Sequence, residues 1–189
     1  MMRNRFGEIM QFGYVVPDIE AGARQWTERV GAGPFYLIER LAMDDYCYRG
    51  AALQPEIRVA FGYWGDIQIE LITPLDGGPS LYADAIAQAP GALNHCATIV
   101  EGLDALIAGE ALESRIIQSG GQAPGTRYVY LDRYLPGDLH LELIEAPERA
   151  RAGWAGMKRV HESWDGERPL RSMLGELSAD IAALAQARF

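Results

Sequence analysis

The octapeptide GDIQIELI, residues 65–72, returns as GDLHLELI at residues 137–144. Each copy opens on a Gly-Asp turn and runs into alternating apolar and polar residues, the period-two pattern of a strand leaving a tight hairpin. A second match precedes each in the same order: QFGYVVPDIEA, Gln11 to Ala21, lies over HCATIVEGLDA, His95 to Ala105. Two matches in one order mark an internal duplication, and the repeated unit decides the fold.

Working outward from these matches, residues 8–16 read as a strand. Asp18 then stands as the N-cap of a helix over 19–30, which ends at Gly31-Ala32-Gly33-Pro34. Strands over 34–40, 57–64 and 67–72 complete a β-α-β-β-β order. The order recurs as a strand over 93–100, a helix over 103–112 and short strands over 115–118, 128–131 and 139–144. The predicted fold class is therefore α+β: two tandem βαβββ modules, residues 8–74 and 93–146, joined by a connecting segment, 75–92, with a short helix near 81–88. Residues 41–54 read as a polar loop with two tyrosines, and 149–168 as a polar loop or loosely packed arm. The extension over 147–189 ends in an amphipathic helix, because Leu170, Met173, Leu174, Leu177, Ile181 and Leu184 recur at helical spacing. Such a helix caps the sheet or packs on a second subunit.

The chain of 189 residues carries 17 Lys+Arg against 26 Asp+Glu, a formal charge of −9. That balance lacks the basic face of a nucleic-acid partner. No apolar run approaches the ~18–20 residues of a membrane span, and MMRNRFGEIM at the start has no signal-peptide stretch. The expectation is a soluble cytoplasmic protein with neither nucleic-acid nor membrane partners. Cys47 and Cys96 stand in unrelated settings and make no disulfide scaffold.

The duplication equates Gln11 with His95, and Glu70 with Glu142, each within a mainly apolar strand. Burying a carboxylate costs on the order of several kcal/mol unless something compensates it. Two facing carboxylates need a cation or a shared proton. Gln11, Glu70, His95 and Glu142 together offer three oxygens and one imidazole nitrogen, a set suited to one divalent ion such as Zn, Mn, Co, Ni or Fe; the lack of thiolate speaks against a structural zinc site. Gln68 and His140 lie two residues before the glutamates and share their face. His140 is then a candidate second proton carrier or a partner of a ligand. Alternation turns Asn94 and Cys96 to the other face.

On these residues, together with Val15-Val16-Pro17-Asp18, Gly31-Ala32-Gly33-Pro34-Phe35 and both Glu-Leu-Ile strands, residues 8–146 resemble the vicinal oxygen chelate superfamily. That superfamily includes glyoxalase I, methylmalonyl-CoA epimerase, extradiol dioxygenases and fosfomycin resistance proteins. The resemblance implies that the two modules curve into a mixed-sheet cup around one metal. Its ligands come from the first and last strand of each module, here Gln11, Glu70, His95 and Glu142. Dioxygenases and fosfomycin enzymes use two His and one Glu, whereas Gln11 stands here where the first His would fall. The set looks like that of zinc-type glyoxalase I and is close to that of methylmalonyl-CoA epimerase. Both move a proton next to a carbonyl: the ion stabilises an enediolate or enolate while a glutamate, Glu70 or Glu142, carries the proton. The implied function is a metal-dependent isomerase, epimerase or lyase acting on a small organic or thioester substrate, with His140 as a further catalytic candidate. The alternatives on the same fold are a metal-free protein that sequesters a small molecule and a ring-cleaving dioxygenase. The resemblance also implies a homodimer.

The glutathione-holding Asn and Arg of glyoxalase I would fall at Pro74 and Gly91, so glutathione is not expected. Arg40, Arg58 and Arg127 are candidates to hold a substrate carboxylate, against the plainer reading of solvated surface arginines. Tyr46, Tyr48, Tyr63, Trp64, Tyr128 and Tyr130 are candidates for an aromatic wall, against the plainer reading of strand core. His161, in the tail, reads as a packing histidine.

Overall fold

Gly65 takes a left-handed φ of 58° and closes a two-residue turn between Trp64 and Ile67, so the repeated octapeptide does begin a hairpin strand. The computed structural model describes residues 5–122 and 125–186; residues 1–4 of the N-terminal stretch and 187–189 of the C-terminal segment read above lie outside the described residues. The first half runs β1 (Ile9–Val15), α1 (Ile19–Val30), β2 (Phe35–Ile38), β3 (Asp44–Tyr48), β4 (Ala51–Ala52), β5 (Ile57–Trp64), β6 (Ile67–Pro74) and α2 (Leu81–Gln88). The second runs β7 (Leu93–Ile99), α3 (Leu103–Gly109), β8 (Ile116–Gln122), β9 (Thr126–Leu135) and β10 (Leu139–Glu145), followed by α4 (Glu148–Glu162), β11 (Leu170–Ser172) and α5 (Glu176–Gln186). Asp18 caps α1 by accepting from the Ala21 N–H at 2.9 Å, and Gly31 closes it at φ 72°.

All strands join one curved, unclosed mixed sheet in the order β11-β2-β5-β6-β1-β7-β10-β9-β8-β3-β4. Within each half the first strand pairs in parallel with the last, β1 with β6 and β7 with β10. The halves meet through the antiparallel pair β1–β7, so both come from one chain and are related by an internal twofold. Strand alternation gives the sheet two faces. On the outer face α1 covers Phe35, Ala60, Ile69 and Leu71, and Leu103 of α3 packs with Leu131, Leu141 and Leu143. The inner faces of both halves merge into one cluster that includes Tyr36, Phe61, Tyr63, Ile72, Tyr128, Tyr130 and Ile144.

Two segments differ from the sequence reading. Residues 41–54 are not a loop: the chain leaves β2 near one end of the sheet and crosses to the other, where β3 pairs with β8. Its Tyr46 and Tyr48 alternate into the inner cluster, an alternation that the surrounding Asp, Arg and Gly residues hide in the sequence. Residues 149–168 are not a loose arm either, since most belong to α4, which buries Met157 and Val160 against the same cluster. The apolar series from Leu170 divides: Leu170 belongs to β11, added in parallel to β2, and the helix begins at Glu176. Leu177, Ile181 and Leu184 of α5 pack on the inner cluster of their own chain, while Leu174 stays exposed. Of the two roles read for this helix, the described chain shows the capping one. Among the described residues no helix is long and apolar enough to cross a membrane.

Asp180 anchors α5 to the sheet by accepting from the Tyr36 hydroxyl at 2.7 Å and from Arg171 Nη1 at 2.8 Å. Replacing Asp180 with Ala leaves the Tyr36 hydroxyl part-buried without its acceptor, while Arg171 keeps only its bonds to the Arg168 and Glu167 carbonyls. The expected loss is about 1–3 kcal/mol, read as a lowered urea midpoint without change of slope.

Candidate metal centre

The four central strands β6, β1, β7 and β10 carry the polar groups that the duplication picked out. Gly13 stands opposite both Glu70 on β6 and His95 on β7, and Ala97 stands opposite Glu142 on β10. The His95 ring lies over Gly13, where an added Cβ would sit 1.8 Å from its Cε1. Only glycine leaves room for the imidazole. From there His95 Nε2 reaches Glu70 Oε2 at 3.1 Å and Glu142 Oε2 at 3.4 Å. One ligand atom from each of the three lies within 4.8 Å of the others. Relative exposure is 8% for Glu70, 0% for His95 and 5% for Glu142, so the cluster is buried.

Burial sets its electrostatics. Desolvation pushes the Glu70 carboxyl above its ordinary value; His95 pulls it back and the charge of Glu142 adds to the rise. Desolvation disfavours the imidazolium of His95, but hydrogen bonds to Glu142 and Glu70, with their negative charge, outweigh it and push the pKa up to about 9.

Gln11 lies beside this cluster on β1, 3% exposed. Its Nε2 donates to Gln68 Oε1 at 2.7 Å, and Gln68 Nε2 donates to the Tyr63 hydroxyl at 3.4 Å. That chain commits the amide nitrogen and leaves Gln11 Oε1 buried with no hydrogen-bond partner. Such an orphan costs about 1–3 kcal/mol and needs an electropositive partner. Three converging donors and this oxygen fit a divalent ion.

A polar aromatic layer covers the cluster. Tyr130 meets the His95 ring edge-on at 4.9 Å, and Gln118 links Tyr46, through Oε1 at 2.5 Å, to the Tyr82 hydroxyl, through Nε2 at 2.9 Å. Of the six aromatics read as a wall, Tyr46, Tyr48, Tyr63, Tyr128 and Tyr130 lie in the inner cluster. Trp64 does not: it is exposed beside Trp26 on the outer surface. Tyr82 and Gln118 escaped the sequence reading because they lie outside the two repeated motifs.

His140 lies at the rim, in register with His95, where a crevice of about 270 Å³ is also lined by Gln88, Asn94 and Arg133. Its Nδ1 accepts from the Arg133 N–H at 3.1 Å, which leaves the ring proton on Nε2, and burial holds its pKa below the usual histidine value. Asn94 overturns its expectation. Its side chain is on the cluster side, with Oδ1 3.1 Å from His95 Nδ1, because the β1–β7 ladder shifts register at this residue and breaks the alternation. Cys96 is buried, as alternation predicts. Arg40, Arg58 and Arg127 pair with Glu56, with Glu20 and Glu39, and with Asp104 and Glu145, so none is presented to the cluster as a free cation. His161 packs α4 onto two turns through the Gly33 carbonyl and the Gly65 N–H.

Residues 10–130 match the profile of the Glyoxalase/Bleomycin resistance protein/Dioxygenase superfamily. The chain belongs to this superfamily. Its fold agrees with solved structures at low identity. Methylmalonyl-CoA epimerase from Mycobacterium tuberculosis superposes with a TM-score of 0.57 at 19% identity, over 80% of this chain and 96% of that one. A hypothetical protein from Bacillus halodurans gives 0.54 at 20% identity, over 75% and 95%. A methylmalonyl-CoA epimerase from Streptomyces coelicolor, bound to 2-nitronate-propionyl-CoA, gives 0.52 at 14% identity, over 76% and 96%. No curated protein matches the sequence significantly.

Gly13 supplies the test of this geometry. Gly13→Ala forces the His95 ring from its place, with an expected loss at or above the usual ~1–3 kcal/mol of overpacking. Gly77→Ala, where nothing lies within 4 Å of the new methyl, leaves thermal stability unchanged as the control.

Proposed function

We propose that this chain is a metal-dependent isomerase, epimerase-like, that moves a proton next to the carbonyl of a small organic acid or acyl thioester. The carrying observation is the buried Gln11 Oε1 without a partner beside three converging ligand atoms. Gln11, Glu70, His95 and Glu142 would hold one divalent ion. A bound ion supplies fixed positive charge toward a substrate carbonyl, which makes the adjacent proton easier to remove. The rest falls to the chain. Glu70 and Glu142 come one from each repeat, so one can take a proton from carbon while the other returns it, as epimerisation requires. Tyr46, Tyr82 and Tyr130 exclude water from that exchange. His140, with Nδ1 taken by the Arg133 N–H, holds its proton on Nε2 at the rim, where it can donate a hydrogen bond to a substrate oxygen. The choice of thioesters follows the methylmalonyl-CoA epimerases that share the fold. A homodimer and a cytoplasmic location belong to the same reading.

A metal-free binding protein is the second reading, and one observation favours it: a protonated His95 between Glu70 and Glu142 is itself a counter-ion. It leaves Gln11 Oε1 unsatisfied, which is why the metal reading is preferred. Metal analysis of protein purified without tag or chelator separates the two. The expected result is about one divalent metal per chain, lost in the Glu70→Ala, Glu142→Ala double variant. A chain that neither carries nor takes up Zn, Mn, Co, Ni or Fe supports the binding protein instead. With metal in place, Glu142→Gln lowers solvent-proton exchange into 2-oxo or CoA-thioester substrates by about 10²-fold or more. Unchanged exchange at normal metal loading removes Glu142 from that role.

A further inference from the structure

The ladder between β1 and β7 slips twice. Ile9 pairs with Thr98 and Gln11 with Ala97, which leaves Met10 as an extra residue on β1. Gly13 pairs with His95 and Tyr14 with Leu93, which leaves Asn94 as an extra residue on β7. A bulge of this kind sets two residues against one and re-aims the extra side chain. Met10 and Asn94 are equivalent in the duplication, each standing immediately before a proposed ligand, Gln11 or His95. The two copies use the same bulge differently. Met10 packs on the inner apolar cluster, whereas Asn94 brings Oδ1 to 3.1 Å from His95 Nδ1.

The difference follows from what holds each ligand. In the first repeat Gln68 fixes the Gln11 amide from the neighbouring strand. Its counterpart in the second repeat is His140, whose Nδ1 is taken by the Arg133 N–H. His95 is therefore held from within its own strand. The Asn94 carbonyl oxygen can only accept, so the proton it meets is on Nδ1. Nε2, on the far side of the ring, is then the nitrogen that faces Glu70 and Glu142. A ligating histidine needs this arrangement, with its other N–H donated to an acceptor that fixes tautomer and ring direction.

We propose that Asn94 is a positioning residue for metal binding: its bulged side chain keeps the His95 proton on Nδ1 and aims Nε2 into the ligand set. This rests on the metal-dependent reading above, and the test separates the two. Zinc affinity is measured by competition calorimetry on the full chain for wild type, Asn94→Ala and Asn94→Asp, with circular dichroism of each apo protein. Asn94→Ala is expected to bind zinc about 10–100-fold more weakly while its apo form stays folded. Asn94→Asp restores the acceptor and holds or exceeds wild-type affinity. A long-range nitrogen–proton spectrum of zinc-loaded wild type is expected to place the His95 proton on Nδ1. Equal affinity of Asn94→Ala and wild type overturns the role of Asn94 alone, as does a zinc-loaded His95 protonated on Nε2. Equal weakness of the Ala and Asp variants overturns it too, since a merely structural residue would behave that way. A wild type that takes up none of Zn, Mn, Co, Ni or Fe overturns both this role and the metal reading, and one that takes another of these ions but no zinc is put through the same comparison with that ion. Should Asn94→Ala fail to fold, the spectrum and Asn94→Asp decide the matter.

Discussion

Two carboxylates, Glu70 and Glu142, are buried on one apolar sheet face within reach of a single imidazole nitrogen. Desolvating two negative charges costs several kcal/mol each (~20 kcal/mol in the idealised Born limit), so a positive charge has to stand between them. The protein contains one source of it, protonation of His95; the divalent ion proposed above is another. The orphaned Gln11 Oε1 discriminates between them. An imidazolium leaves it unpaired, whereas the proposed ion would give it a partner.

The surrounding structure follows from keeping that cluster buried and aligned. The antiparallel β1–β7 pair brings the repeats together about an internal twofold, which delivers one glutamate from each side. Gly13 lets the His95 ring lie against β1, and the bulge at Asn94 closes the other nitrogen of that ring. Tyr46, Gln118, Tyr82 and Tyr130 form a linked polar layer over the cluster, and α4 and α5 extend the cover across the first half. Part of that layer comes from β3, a strand that the first half lends to the edge of the second.

Much of this was legible in the sequence because duplication is a strong signal. Two aligned motifs located Gln11, Glu70, His95 and Glu142, and period-two alternation placed the glutamates on one face. The same alternation misplaced Asn94, since a bulge is a property of strand pairing and leaves no mark in a single strand. The β3 hairpin was hidden by its charged neighbours, and its partner β8 is 72 residues away, as the Tyr46–Gln118 bond shows. The helix α4 was missed because arginines and glutamates outweigh the few residues, Met157 and Val160 among them, that it buries. Gly13 carried no visible role until the ring above it was seen.

Anomalous diffraction at the zinc edge, from crystals of the protein grown with zinc, tests the four-ligand site most directly. A single peak is predicted about 2.0–2.2 Å from Gln11 Oε1, His95 Nε2 and one oxygen each of Glu70 and Glu142. A folded protein with no peak there, and with His95 Nε2 still bonded to the two glutamates, would contradict it.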